Sequence, residues 1–167
     1  MAPAALVASI AALAVGTAAL VQGRGGDERA AATATSAVAP ATAGGDTEAA
    51  DKALCQGIAP LMAEDDQRSN AFVALGPSGS AARDAGVDRF RADTAAWATR
   101  IQAVADQHQS ADPFLRRTLQ RFIDDRRLIA RNMRTGKTME YDDAIWSDSL
   151  AAYGGPLGMC YDLGVRW

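Results

Sequence analysis

Residues 87–108 read VDRFRADTAAWATRIQAVADQH, and their spacing decides the fold. Val87, Phe90, Thr94, Trp97, Ile101, Val104 and His108 recur at intervals of three and four, which gathers them on one face of an α-helix. Nothing in the chain alternates β-branched residues as a half-buried strand does. The class is therefore all-α.

Working outward, the same periodicity marks three more helices. Asp112-Pro113 joins a good N-cap to a proline at the first helical position. The helix it opens carries Leu115, Leu119, Phe122, Ile129 and Met133 inward and stops at Gly136. Upstream, a helix from about Glu48 to Leu75 presents Leu54, Ile58, Leu61, Met62 and Phe72. Pro60 inside it predicts a kink or a restart, Gly76-Pro77 ends it, and Ser80 is placed to cap the next helix. A shorter fourth helix spans about Tyr141 to Tyr153, with Ile145, Trp146 and Leu150. It ends at Gly154-Gly155-Pro156, leaving a tail from Leu157 to Trp167 that packs back. Short connections favour an antiparallel up-down-up-down four-helix bundle.

The chain divides into three parts. Pro3 to Val21 is uncharged and largely apolar. At about 1.5 Å per residue it spans roughly 28 Å, the thickness of a bilayer core. No Lys or Arg precedes it and it is long for a signal core, so residues 1–22 read as a transmembrane anchor in preference to a removed signal. Residues 23–46 are mostly Ala, Thr and Gly without aromatics, a composition that cannot bury enough apolar surface to offset ordering, so they read as a disordered tether. Residues 47–167 are long enough for one domain with one core.

Orientation rests on opposing signals. Arg24 and Arg29 follow the apolar run and weakly favour a cytoplasmic domain. The two cysteines, Cys55 and Cys160, bracket the domain and suggest one disulfide outside the cytoplasm. An up-down bundle brings the end of its fourth helix to the start of its first, so the pairing and the topology support each other. The domain is expected on the outer side of a single-pass cell-membrane anchor, or secreted if the segment is cleaved.

The formal charge of −3 is unevenly spread. Asp112 to Lys137 holds eight basic residues against three acidic ones, and on a helical wheel Arg116, Arg127, Arg131 and Arg134 fall on one flank. That flank is a candidate face for anionic lipid, cell-wall polymer or an acidic envelope protein, weighed against an ordinary solvated, paired surface. No aromatics interleave with the arginines for base stacking, so nucleic acid is not expected as a partner.

Asp65 lies between Met62 and Ser69 on the first helix, and Arg126 between Phe122 and Ile129 on the third. Helices one and three run parallel in this topology, so the two side chains fall at similar depth, with Thr94 and Ser149 near that level. A partly buried Asp65–Arg126 ion pair is expected, with Thr94 or Ser149 satisfying its remaining polar atoms. The lone His108 sits at a helix end, where a cation suits the dipole. No His/Cys/carboxylate spacing fits a metal, no cofactor motif is present, and Trp97, Trp146 and Met133 read as core. Asp142-Asp143 suits a helix N-terminus. No catalytic residue is assigned.

Three stretches carry a resemblance. Thr118-Leu119-Gln120-Arg121-Phe122-Ile123-Asp124-Asp125, Trp146-Ser147-Asp148-Ser149-Leu150 and Gly155-Pro156-Leu157 with Cys160 resemble small exported helical proteins of mycobacteria and related actinobacteria. It spans about Cys55 to Trp167, implies export and cysteine pairing, and brings no catalytic residues with it. The expected function is a non-enzymatic, membrane-tethered binding or accessory module of the cell envelope. The alternative is an exported helical enzyme or carrier acting on a small anionic ligand through arginines.

Overall fold

Ser80 caps the helix whose face opened the reading: its hydroxyl accepts the Arg83 N–H at 3.4 Å. A computed structural model describes residues 43–167, and the expected anchor and nearly all of the expected tether lie outside them. Four helices follow in order, α1 Ala43–Val73, α2 Ala81–Gln107, α3 Pro113–Asn132 and α4 Glu140–Asp162. No strand occurs among the described residues, and the helices form a bundle.

Contacts between successive helices run in opposite senses. From α1 to α2, the Trp97 Nε1–H donates to the Leu61 carbonyl at 2.7 Å, while Phe72 stacks on Phe90. From α2 to α3, Arg91 reaches the Ala130 carbonyl and Gln102 meets Gln120. From α3 to α4, Phe122 packs edge-on against Tyr153, while Arg126 lies over Trp146. Asp112 caps α3 by accepting the Phe114 N–H at 2.7 Å and the Leu115 N–H at 3.3 Å. The buried Asp51 of α1 in turn accepts the Asp112 N–H at 2.6 Å, which ties the α2–α3 turn to α1.

Three boundaries differ from the sequence reading. Helix α1 starts at Ala43, inside the stretch expected as tether, and passes Pro60 without a restart. Pro60 is exposed, so the Gln56 carbonyl that loses its partner is on the water side. Helix α3 stops at Asn132, with Gly136 at φ 92° in the following loop.

Helix α4 is the larger correction. It does not end at Gly154-Gly155-Pro156 but continues to Asp162. A Cβ at Gly155 would come within 2.4 Å of the Thr118 Oγ1, so this glycine permits close approach of α4 to α3. Pro156 buries its ring in the core. Cys160 therefore belongs to α4 itself, and the Cys55–Cys160 disulfide, with Cα atoms 5.4 Å apart, joins helix to helix instead of tying back a tail. Only residues 163–167 fold back, held by the Val165 N–H on the Cys160 carbonyl at 2.9 Å and by Trp167 Nε1–H on the Tyr153 hydroxyl at 2.7 Å.

The core is in two pieces. The larger surrounds the disulfide and holds Leu54, Ile58, Met62, Trp97, Ile101, Leu119 and Phe122. The smaller lies at the end where α1 turns into α2, and comprises Phe72, Val87, Phe90 and Ile129 under Met133, Ile145 and Trp146. Along every helix the break falls at a buried polar residue: Asp65, Thr94, Arg126 and Ser149.

Candidate functional site

At the buried polar layer and the small core beyond it, charge, aromatic faces and open space coincide. Asp65 is fully buried, and its Oδ2 lies 2.9 Å from the Arg126 Nη2. The N–H is not aimed along that line, so the contact is an ion pair more than a directed hydrogen bond. Asp65 also pairs through Oδ1 with Arg68, one turn further along α1. Arg126 is sandwiched between aromatic faces, its guanidinium 5.0 Å from the Phe122 centroid and 4.7 Å from that of Trp146. Arg68 lies over Trp97 at 5.2 Å.

Burial pushes the Asp65 carboxyl above its ordinary range, against the pull of Arg126 and then Arg68. Burial likewise lowers Arg126, against the pull of Asp65. For both partners the loss of water outweighs the attraction.

Thr94 and Ser149 share the level of the pair without joining it. Ser149 donates to the Trp146 carbonyl at 2.8 Å, and the buried Thr94 hydroxyl has no hydrogen-bond partner among the described residues. Arg68 fills the place expected for them. Its i, i+3 spacing from Asp65 was a legible signal. Beside the layer, Tyr153 donates to Asp66 at 2.9 Å while accepting from Trp167. Burial, the largest cause, raises the Tyr153 hydroxyl to about 12.

Above the small core the helix ends leave a cleft of about 270 Å³. Val73 of α1, Ile129 of α3 and Ile145 and Trp146 of α4 make its apolar floor, with Met133 from the α3 C-cap. Met133 and Trp146, read from the sequence as core, are only half-buried here because one side of each faces the cleft. Trp146 is also the wall between cleft and polar layer, since it touches Arg126.

The rim is charged. Arg134 pairs with Asp142 at 3.0 Å, and the same Asp142 oxygen accepts the Met139 N–H at 3.0 Å at the start of α4. Arg83 donates to the Gly76 carbonyl at 3.1 Å and stacks over Phe72, leaving it without a carboxylate among the described residues. Asp143 meets no cation among them either. Leu75, Met139 and Tyr141 are exposed apolar side chains from the chain segments at this end. Such an arrangement suits noncovalent capture of a small apolar group whose polar substituent reaches the rim.

The expected basic flank is divided. Arg127 and Arg131 line a groove with Arg91, Asp88 and Asp124. Arg127 is engaged by Gln102 at 2.9 Å and Asp124 at 3.3 Å. Arg116 lies at the far end of α3, held by Gln109 at 2.6 Å, while Arg134 has left the helix for the cleft rim. His108 is the α2 C-cap, its Nδ1 2.8 Å from the Val104 carbonyl. No group of metal-ligating side chains gathers among the described residues. No protein-family model, curated protein or solved structure matches the chain.

Proposed function

We propose that this chain is a non-enzymatic binding module of the cell envelope, tethered outside the cytoplasm by its N-terminal apolar segment, and that it binds through the loop-end cleft. The observation that carries the reading is the cleft itself: an apolar floor over a separate small core, rimmed by charges from the start of α2, the residues after α3 and the start of α4. The interior charges of the polar layer face one another and shape the bundle. Support for the compartment comes from the apolar run at Pro3–Val21 and from the cystine, which persists in an oxidising milieu. The exported character implied by the actinobacterial resemblance agrees with it.

The carrier form of the alternative draws on the same cleft, because Arg83 and Arg134 stand at its rim for an anionic ligand. A probe that is apolar, aromatic and anionic, such as 1-anilinonaphthalene-8-sulfonate, tests both. One molecule per chain should bind with quenching of Trp146, and Met133→Trp, which fills the floor, should abolish it. Binding unaffected by Met133→Trp, or none at all, overturns the cleft as the site. Specific turnover of a bound small molecule would overturn the non-enzymatic reading.

A further inference from the structure

Helix α4 carries apolar residues on every side, yet only part of it is covered. It packs broadly on α3 and only lightly on α1. A helix that is apolar all round belongs in an interior. Its outward face keeps intervals of three and four through Ser147, Leu150, Gly154, Leu157 and Tyr161, with Asp143 one turn earlier. Leu150, Leu157 and Tyr161 are 52%, 41% and 56% exposed, and a Cβ at Gly154 would meet nothing within 4 Å. A seam of this period is what one helix offers another for knobs-into-holes packing.

We propose that a second copy of this chain covers the seam, about a twofold axis that crosses α4 at Gly154. The seam is self-complementary when turned end for end. Leu150 then meets the partner's Leu157, and Leu157 meets the partner's Leu150. The bulky Tyr161 falls opposite the small Ser147 at both ends, and Gly154 faces itself where the backbones come closest. A parallel pairing would instead oppose Tyr161 to Tyr161 and Asp143 to Asp143.

Charge selects the same arrangement. Arg166 stacks its guanidinium 3.6 Å from the Tyr161 centroid, which carries it to one end of the seam. Asp143 at the other end has no cation of its own among the described residues. End-for-end pairing brings Arg166 to the partner's Asp143 twice over, as an isologous interface requires. One helix per copy makes a small interface, below about 1,200 Å² in total, so the dimer is weak, with Kd on the order of 10–100 µM.

Sedimentation velocity on the full chain in dilute detergent should show a reversible monomer–dimer equilibrium in that range. Leu157→Glu and Leu150→Glu, both at exposed positions, should give monomers with unchanged circular dichroism and melting. Gly154→Cys should form a covalent dimer on mild oxidation while the native cystine stays intact, whereas Ala103→Cys on the outer face of α2 should not. Asp143→Arg and Arg166→Asp should each weaken association about tenfold, and the double exchange should restore it. Association that survives Leu157→Glu, or a double exchange that restores nothing, overturns the proposal. A chain that stays monomeric and gives no Gly154→Cys dimer also overturns it. Shielding of the thiol introduced by Gly154→Cys by added phospholipid vesicles would then assign the seam to a lipid surface.

Discussion

Asp65 has two guanidinium partners and no exposed surface, so its charge depends entirely on them. Removing it strands the buried Arg126 and leaves the partly buried Arg68 only Glu64, at 3.5 Å, whereas removing Arg126 leaves Asp65 still paired with Arg68. In denaturant melts Asp65→Ala should cost about 3–5 kcal/mol and Arg126→Ala less, while the double change should cost clearly less than the sum. Strictly additive losses would show the two side chains to be uncoupled. Tyr153 gives a pH-dependent counterpart. Its hydroxyl is raised from 10.0 to about 12, so the folded state holds that proton longer than the unfolded chain does. The stability this contributes is complete below pH 10 and is lost as pH climbs through about 12. Melting temperatures followed across that window should fall more steeply in the native chain than in Tyr153→Phe. The pair was legible because depth can be counted along helices. The Tyr153–Asp66–Trp167 relay was not, since it joins α1, α4 and the residues after it at angles no periodicity encodes.

Among elements, α4 departs furthest from its sequence signals. Gly-Gly-Pro usually ends a helix because glycine loosens the backbone and proline withholds an N–H. Here packing overrides both: Gly155 admits the Thr118 side chain, Pro156 fills the core, and the cystine holds the last turns. The two glycines flanking this contact therefore have opposite roles. Gly155→Ala should destabilise by about 1–3 kcal/mol, since Thr118 is short, β-branched and unable to swing clear. Gly158→Ala points into open space and should stabilise by up to about 1 kcal/mol through helix propensity alone. Thermal melts of both variants at low concentration check the contrast, and equal effects would mean that Gly155 is not a packing glycine. The fourth helix was thus legible in its existence and its start, while its length was hidden behind residues whose contacts lie on α3.

At the scale of the whole molecule, the polar layer divides a bundle that is locked at one end and open at the other. The disulfide closes a sequence separation of 105 residues at the large core. On the chain-entropy account a loop near that length is worth about 4.7 kcal/mol, so reduction should lower the melting temperature markedly. The small core has no such tie and lies under the cleft. Native-state hydrogen exchange should therefore find amides around Phe72, Phe90 and Ile129 opening at lower free energy than those around Leu54, Ile101 and Leu119. Uniform protection along α1 would contradict the division. Lower stability at the cleft end would suit the binding proposed for it.

Periodicity, caps and cysteine count were enough to determine the helical class, the four helices, the disulfide partners and the depth at which Asp65 and Arg126 would lie. These depend on local backbone chemistry and on counting residues along rods, which a linear text records. Only the tertiary structure decided that Arg68 and not Thr94 or Ser149 completes the pair, that α4 runs through Gly-Gly-Pro, and that the arginine flank divides among three neighbourhoods. Each of those turns on which side chains from different helices arrive at the same place. Burial and close approach, not spacing, set the balance there.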